Sequence, residues 1–158
     1  MAIAKKQGSD LTRLIVCERT GKWASALCRT LPDQGRWIFQ TRSLKQLRDA
    51  ASSHPISLIL IEVRTRNLLA AAEMFEQLRR SHPRCHLIAA AGNRYHGNRP
   101  ATSLAEWVLR EIGVSQWIWS QRQIAIVCRL WSRHCRLHPP VEQTLRQQIV
   151  QGLPWSDA

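Results

Sequence analysis

The chain has 158 residues, of which 44% are hydrophobic and 22% charged, and its formal net charge is +12. A single domain of that length buries about 70% of its unfolded surface and folds without disulfides or a metal, and the composition excludes wholesale disorder. The apolar run Ile56–Ile61 is too short to cross a bilayer and residues 1–11 lack the apolar core of a secretory signal, so a cytoplasmic protein with no membrane contact is expected.

Residues 1–11 are polar and aperiodic and read as a flexible lead-in. Leu14–Cys17 is a short apolar strand, after which Trp23, Ala24, Leu27, Cys28 and Leu31 recur at helical spacing until Pro32 and Gly35 stop the helix. Arg36–Thr41 is rich in β-formers, and Leu44, Leu47 and Ala51 mark a second helix that closes at His54-Pro55. Ile56–Val63, almost entirely apolar, predicts a strand buried on both faces. Leu68, Ala72, Phe75 and Leu78 make the third helix, with Glu73, Glu76, Arg79 and Arg80 turned outward. Cys85–Ala90 is the fourth strand, ended by Gly92. Thr102 or Ser103 then caps a fourth helix running to Ile112. Val114–Trp119 is the fifth strand and Gln121–Leu137 the fifth helix. Strands that alternate with helices imply right-handed crossovers and a parallel sheet covered on both faces, that is, an α/β domain over residues 12–137. Residues 138–158 are expected to form a linker and a short helical docking tail, with Val141, Leu145, Ile149 and Trp155 as its apolar stripe.

The charge is carried mostly by scattered arginines, densest at Arg122, Arg129, Arg133 and Arg136. A solvated basic face accounts for this, and so does a nonspecific nucleic-acid surface with steep salt dependence. Cys17, Cys28, Cys85, Cys128 and Cys135 are odd in number and mostly sit among apolar residues, so they read as reduced core positions. Cys128, His134, Cys135 and His138 hint at zinc, yet no Cys-x-x-Cys pair exists and the cysteines fit an apolar helix face. Thr20-Gly21-Lys22 sits between a strand and a helix like a phosphate-binding loop. However, Val16 stands where its first glycine belongs and Trp23 where its magnesium-binding hydroxyl belongs.

Leu14-Ile-Val-Cys-Glu18, Ser57-Leu-Ile-Leu-Ile-Glu62, Cys85-His-Leu-Ile-Ala-Ala-Ala91 and Gly113-Val-Ser-Gln-Trp-Ile-Trp-Ser120 resemble the four signature segments of a response-regulator receiver domain. The resemblance covers about residues 12–137. It implies a three-layer αβα fold with five parallel strands in order 2-1-3-4-5. It also implies a pocket in which an acid pair falls on Cys17 and Glu18, the phospho-accepting carboxylate on Glu62, the hydroxyl on Ala90 and the lysine on Ser120. Receiver chemistry uses an aspartate nucleophile, a Mg²⁺ ion held by the acids, and a hydroxyl and an ammonium on the phosphoryl oxygens. Ala90 and Ser120 cannot supply the last two, and Glu62 carries its carboxylate one methylene too far forward. The expectation is a degenerate receiver that is not an enzyme, has no catalytic residue and requires no cofactor, and works by contact with a protein partner in signalling. The alternative is a nucleic-acid-associated regulator that uses the arginines.

Glu18 and Glu62 admit two readings, a weak residual Mg²⁺ site or two solvated carboxylates paired with Arg19, Lys22, Arg64 or Arg94. Alternation puts Trp117 and Trp119 on one face of an edge strand. In receivers the fourth helix, fifth strand and fifth helix form the usual homodimer and output face. There Trp107, Trp117, Trp119, Arg122, Arg129 and Arg133 would make an aromatic-and-arginine interface.

Overall fold

A computed structural model describes residues 12–92 and 99–139. Five strands, β1 (Arg13–Cys17), β2 (Ile38–Thr41), β3 (Ser57–Val63), β4 (His86–Ala91) and β5 (Gln116–Ile118), form one sheet in the order β2-β1-β3-β4-β5. Every adjacent pair is parallel. The helices are α1 (Lys22–Thr30), α2 (Leu44–Ser53), α3 (Leu68–Ser81), α4 (Arg99–Ile112) and α5 (Ile124–Leu137). The expected fold class and strand order are both present. The lead-in and the tail positions Val141, Leu145, Ile149 and Trp155 lie outside the described residues, as does Arg94.

Alternation along the strands divides the core into two layers. Ile15, Cys17, Ile59, Ile61, Val63, Leu87 and Ala89 face α2, α3 and α4, whereas Leu14, Val16, Leu58, Leu60, Ile88, Ala90 and Ile118 face α1 and α5. All seven residues of β3 are buried, the apolar Leu58–Ile61 as expected of a central strand and the polar Ser57 and Glu62 with them. Trp23 of α1 and Trp131 of α5 are wholly buried in the second layer. Burying a ring of this size removes roughly 150–250 Å² from water, and an indole N–H taken inside calls for a partner. Trp131 has one, donating to Gln34 Oε1 at 2.6 Å.

Several boundaries differ from the sequence expectation, and three of the differences have a clear local cause. β2 loses Arg36 and Trp37 because Pro32–Trp37 forms a 3₁₀ turn with proline at its start. Trp37 is buried there, with the guanidinium groups of Arg13 and Arg36 4.9 and 5.1 Å from its ring centre. Helix α4 starts at Arg99, ahead of Thr102 and Ser103, because Pro100 is compatible with a first helical turn. β5 keeps only Gln116–Ile118, since pairing with β4 extends no further than Ala90 opposite Ile118.

Histidines gather where α5 ends beside the start of β4. The His134 ring stacks on Trp131 at 6.2 Å and lies 5.1 Å from the His138 ring, and the Nε2 atoms of His134 and His86 are buried with no hydrogen-bond partner among the described residues. Burial first, and Arg133 second, push the His86 imidazole below its ordinary range. Burial also lowers His134, a backbone hydrogen bond at Ile56 opposes the shift, and His138 and His86 add to it. A lowered folded-state pKa means that the unfolded chain binds more protons, so stability must fall as pH drops through the ordinary histidine range. Urea unfolding should give a flat stability above about pH 7.5 and a decline below about pH 6.5, and His134→Leu should flatten that decline. A midpoint that stays constant between about pH 7.5 and about pH 5.5 would contradict this.

Candidate functional site at the strand ends

In an open parallel sheet the functional crevice lies beyond the carboxyl ends of the strands where the order reverses, here between β1 and β3. Cys17 ends β1 and Glu18 follows it, while Glu62 lies one residue from the end of β3. Cys17, Glu18, Arg19, Arg42, Glu62, Arg64 and their neighbours line a cleft of about 170 Å³. Of the expected pocket residues, Cys17, Glu18 and Glu62 line this cleft and Ala90 and Ser120 do not, and the carboxylates are not solvated: Glu18 is 2% exposed and Glu62 is 5% exposed.

The first turn of α1 captures Glu18. Residue Gly21, with φ +82°, occupies the cap position and has no side chain to offer, so the amides of the first turn need an outside acceptor. Glu18 Oε2 accepts from the Trp23 amide at 2.8 Å and Oε1 from the Ala24 amide at 2.7 Å, with Gln40 Nε2 3.3 Å from Oε1. A buried carboxylate is well placed against the positive end of a helix. The acid thus does the work of an N-cap from the end of the preceding strand.

Arg64 captures Glu62. Its Nη2 donates to Oε1 at 3.0 Å and to Oε2 at 3.1 Å, and the Arg19 amide adds a 3.3 Å bond to Oε2. The arginine is held in turn: its own amide donates to Asn67 Oδ1 at 2.6 Å. Its side chain crosses Gly92 so closely that a Cβ there would lie 2.5 Å from Arg64 Cγ. Gly92 is a glycine because the guanidinium stem needs that space.

The remaining pocket positions carry little chemistry. Ala90 stands opposite Glu62 in the register of β3 and β4, fully buried and without a hydroxyl. Ser120 begins the turn before α5 and makes no side-chain cap. Burial raises the Cys17 thiol above its ordinary range, a Thr41 hydrogen bond opposes this, and the charges of Glu62 and Glu18 raise it again, so it is a neutral thiol at pH 7. A Mg²⁺ ion needs several free oxygens in one shell. With Glu18 committed to two amides and Glu62 to a guanidinium, these residues do not fit it. Among the described residues no three His, Cys, Asp or Glu side chains are placed to hold a metal, the Cys128–His138 set included.

Of the expected interface, Trp107 is 61% exposed, and Arg122, Arg129 and Arg133 are exposed. Trp117 is corrected to a core residue: it is 2% exposed in the layer that holds Ala105 and Leu109 of α4. Trp119 is half-buried against the same layer, edge-on to Trp117 at 5.2 Å, so the two do share a face. The residues that sequence reasoning missed are Gly92 and Asn67, which hold Arg64 in place.

No protein-family model and no curated protein matches the chain. Solved structures do match in fold. A CheY-like protein, TadZ, from Pseudomonas aeruginosa PAO1 superposes with a TM-score of 0.58 at 16% identity, covering 77% of this chain and 98% of that one. A putative pilus assembly-related protein from Burkholderia pseudomallei K96243 superposes with a TM-score of 0.53 at 17% identity, covering 80% of this chain and 92% of that one. The fold is CheY-like, a receiver-type α/β sandwich.

Proposed function

We propose that this chain is a receiver-like signalling module that has lost phosphotransfer and acts through contact with a protein partner. The observation that carries the reading is the closure of Glu62 by Arg64. A nucleophile must present a free oxygen to the phosphoryl donor, and both oxygens here face one guanidinium nitrogen. Glu18, spent on α1, supports the same reading, as do Ala90 and Ser120, which offer neither the hydroxyl nor the ammonium that would hold a phosphoryl group. A module of this kind signals by being present or absent at its partner, not by switching. Trp107 and the exposed arginines of α5 have the composition of an interaction surface. Since one similar structure is described as pilus assembly-related, such assemblies are the first place to seek the partner.

The test is capture from a nuclease-treated lysate with the full chain as bait, with and without acetyl phosphate. The expected result is a discrete protein retained at moderate salt, equally in both arms, and lost with Trp107→Ala. Capture that depends on acetyl phosphate would contradict the reading. Material that disappears with nuclease would favour the nucleic-acid alternative, to which the charge of +12 lends its support.

A further inference from the structure

The cleft beside the two carboxylates has an excess of guanidinium groups. Its lining carries Arg19, Arg42 and Arg64 against Glu18 and Glu62. The Arg64 guanidinium and the Arg19 amide close Glu62, and backbone amides with Gln40 satisfy Glu18, so among the described residues the guanidinium groups of the other two arginines are not needed to balance either acid. Arg42 is held in place nevertheless: its Nη1 donates to the Arg19 carbonyl, and both residues line the cleft. The Arg19 guanidinium has no carboxylate partner among the described residues. Ser43, also in the lining, uses its oxygen to accept from the Gln46 amide, and its O–H has no acceptor among the described residues. A cleft lined by guanidinium groups and a hydroxyl, whose acids are already engaged by other donors, suits a negatively charged oxygen ligand.

We propose that this cleft binds an oxyanion, a carboxylate or a phosphate group, reversibly between Arg19 and Arg42 and without a metal ion. The proposal rests on the reading that Glu62 is no longer a nucleophile, and it inverts the charge preference of a pocket built for a cation. No bond to the protein forms. The ligand is either a small phosphate-bearing molecule or an acidic side chain offered by a protein partner.

Amide NMR of the full chain, titrated with inorganic phosphate in the absence of Mg²⁺ and against chloride at matched ionic strength, tests it. Saturable shifts should appear at Arg19, Gly21, Arg42 and Ser43, with half-saturation at about 1–10 mM, the range of a weak single-anion contact. The double variant Arg19→Gln/Arg42→Gln, both at exposed positions, should keep its spectrum elsewhere and weaken binding at least tenfold. A hexaglutamate peptide that displaces phosphate from the same amides would assign the site to a partner's acidic segment. Phosphate binding that the peptide leaves untouched would assign it to a small phosphate ligand. Shifts that chloride reproduces, or that the double variant retains, would overturn the proposal. Acetyl phosphate with Mg²⁺ is a separate arm. Covalent attachment there would overturn the loss of phosphotransfer, and would leave the reversible binding measured without Mg²⁺ to be judged on its own data.

Discussion

Replacing Arg64 with alanine should destabilise the protein by about 3 kcal/mol in urea unfolding, because it leaves a buried carboxylate without its counter-charge. The side chains of Arg64 and Glu62 are 18% and 3% exposed, so water screens the pair poorly. The cost comes from the orphaned acid and not from the attraction itself, which distinguishes two variants. Arg64→Ala strands Glu62 with only the Arg19 amide as donor, whereas Arg64→Met with Glu62→Met removes both charges and should lie within about 1 kcal/mol of the parent. Gly92→Ala should act in the same direction as Arg64→Ala by pushing the stem off its path, at a smaller cost of about 1 kcal/mol. If Arg64→Ala cost less than about 0.5 kcal/mol, the pair would be no stronger than a surface ion pair and the closure of Glu62 would lose its basis.

The second large effect belongs to Glu18. Glu18→Ala removes a charged acceptor from two amides of the first turn of α1 and should cost about 2–4 kcal/mol. Glu18→Gln, which keeps one acceptor oxygen, should cost about half as much. Hydrogen exchange locates the effect: the Trp23 and Ala24 amides should lose protection first, ahead of the central strands. A loss of stability spread evenly over the sheet, with those two amides still protected, would contradict the capping role.

The strands and their order were legible because a parallel sheet buries its central strands on both faces and so writes unbroken apolar runs into the chain. The strand ends were legible because Glu18 and Glu62 stop those runs at the crevice. Their use was not. A glutamate that leaves a strand looks solvated in sequence, and only the bare glycine at position 21 hints that α1 must find its cap elsewhere. Arg64 lies two residues beyond Glu62, and whether it turns back depends on the absence of a side chain at Gly92, beyond the end of a different strand. Period-two alternation placed Trp117 and Trp119 on one face correctly, but the helix that covers Trp117 is a tertiary matter. The boundary of β2 shifted for a local reason, the 3₁₀ turn begun by Pro32, whereas one of the two guanidinium groups over Trp37 comes from the distant Arg13 and the other from its neighbour Arg36.

Intact-mass measurement of the full chain after incubation with acetyl phosphate and Mg²⁺ tests the central claim, that the strand-end pocket is closed to phosphotransfer. With Glu62 held by Arg64 and no hydroxyl at Ala90, the mass should remain that of the unmodified chain, in the parent and in Glu62→Gln alike. A gain of one phosphoryl group in the parent that disappears in Glu62→Gln would contradict the account.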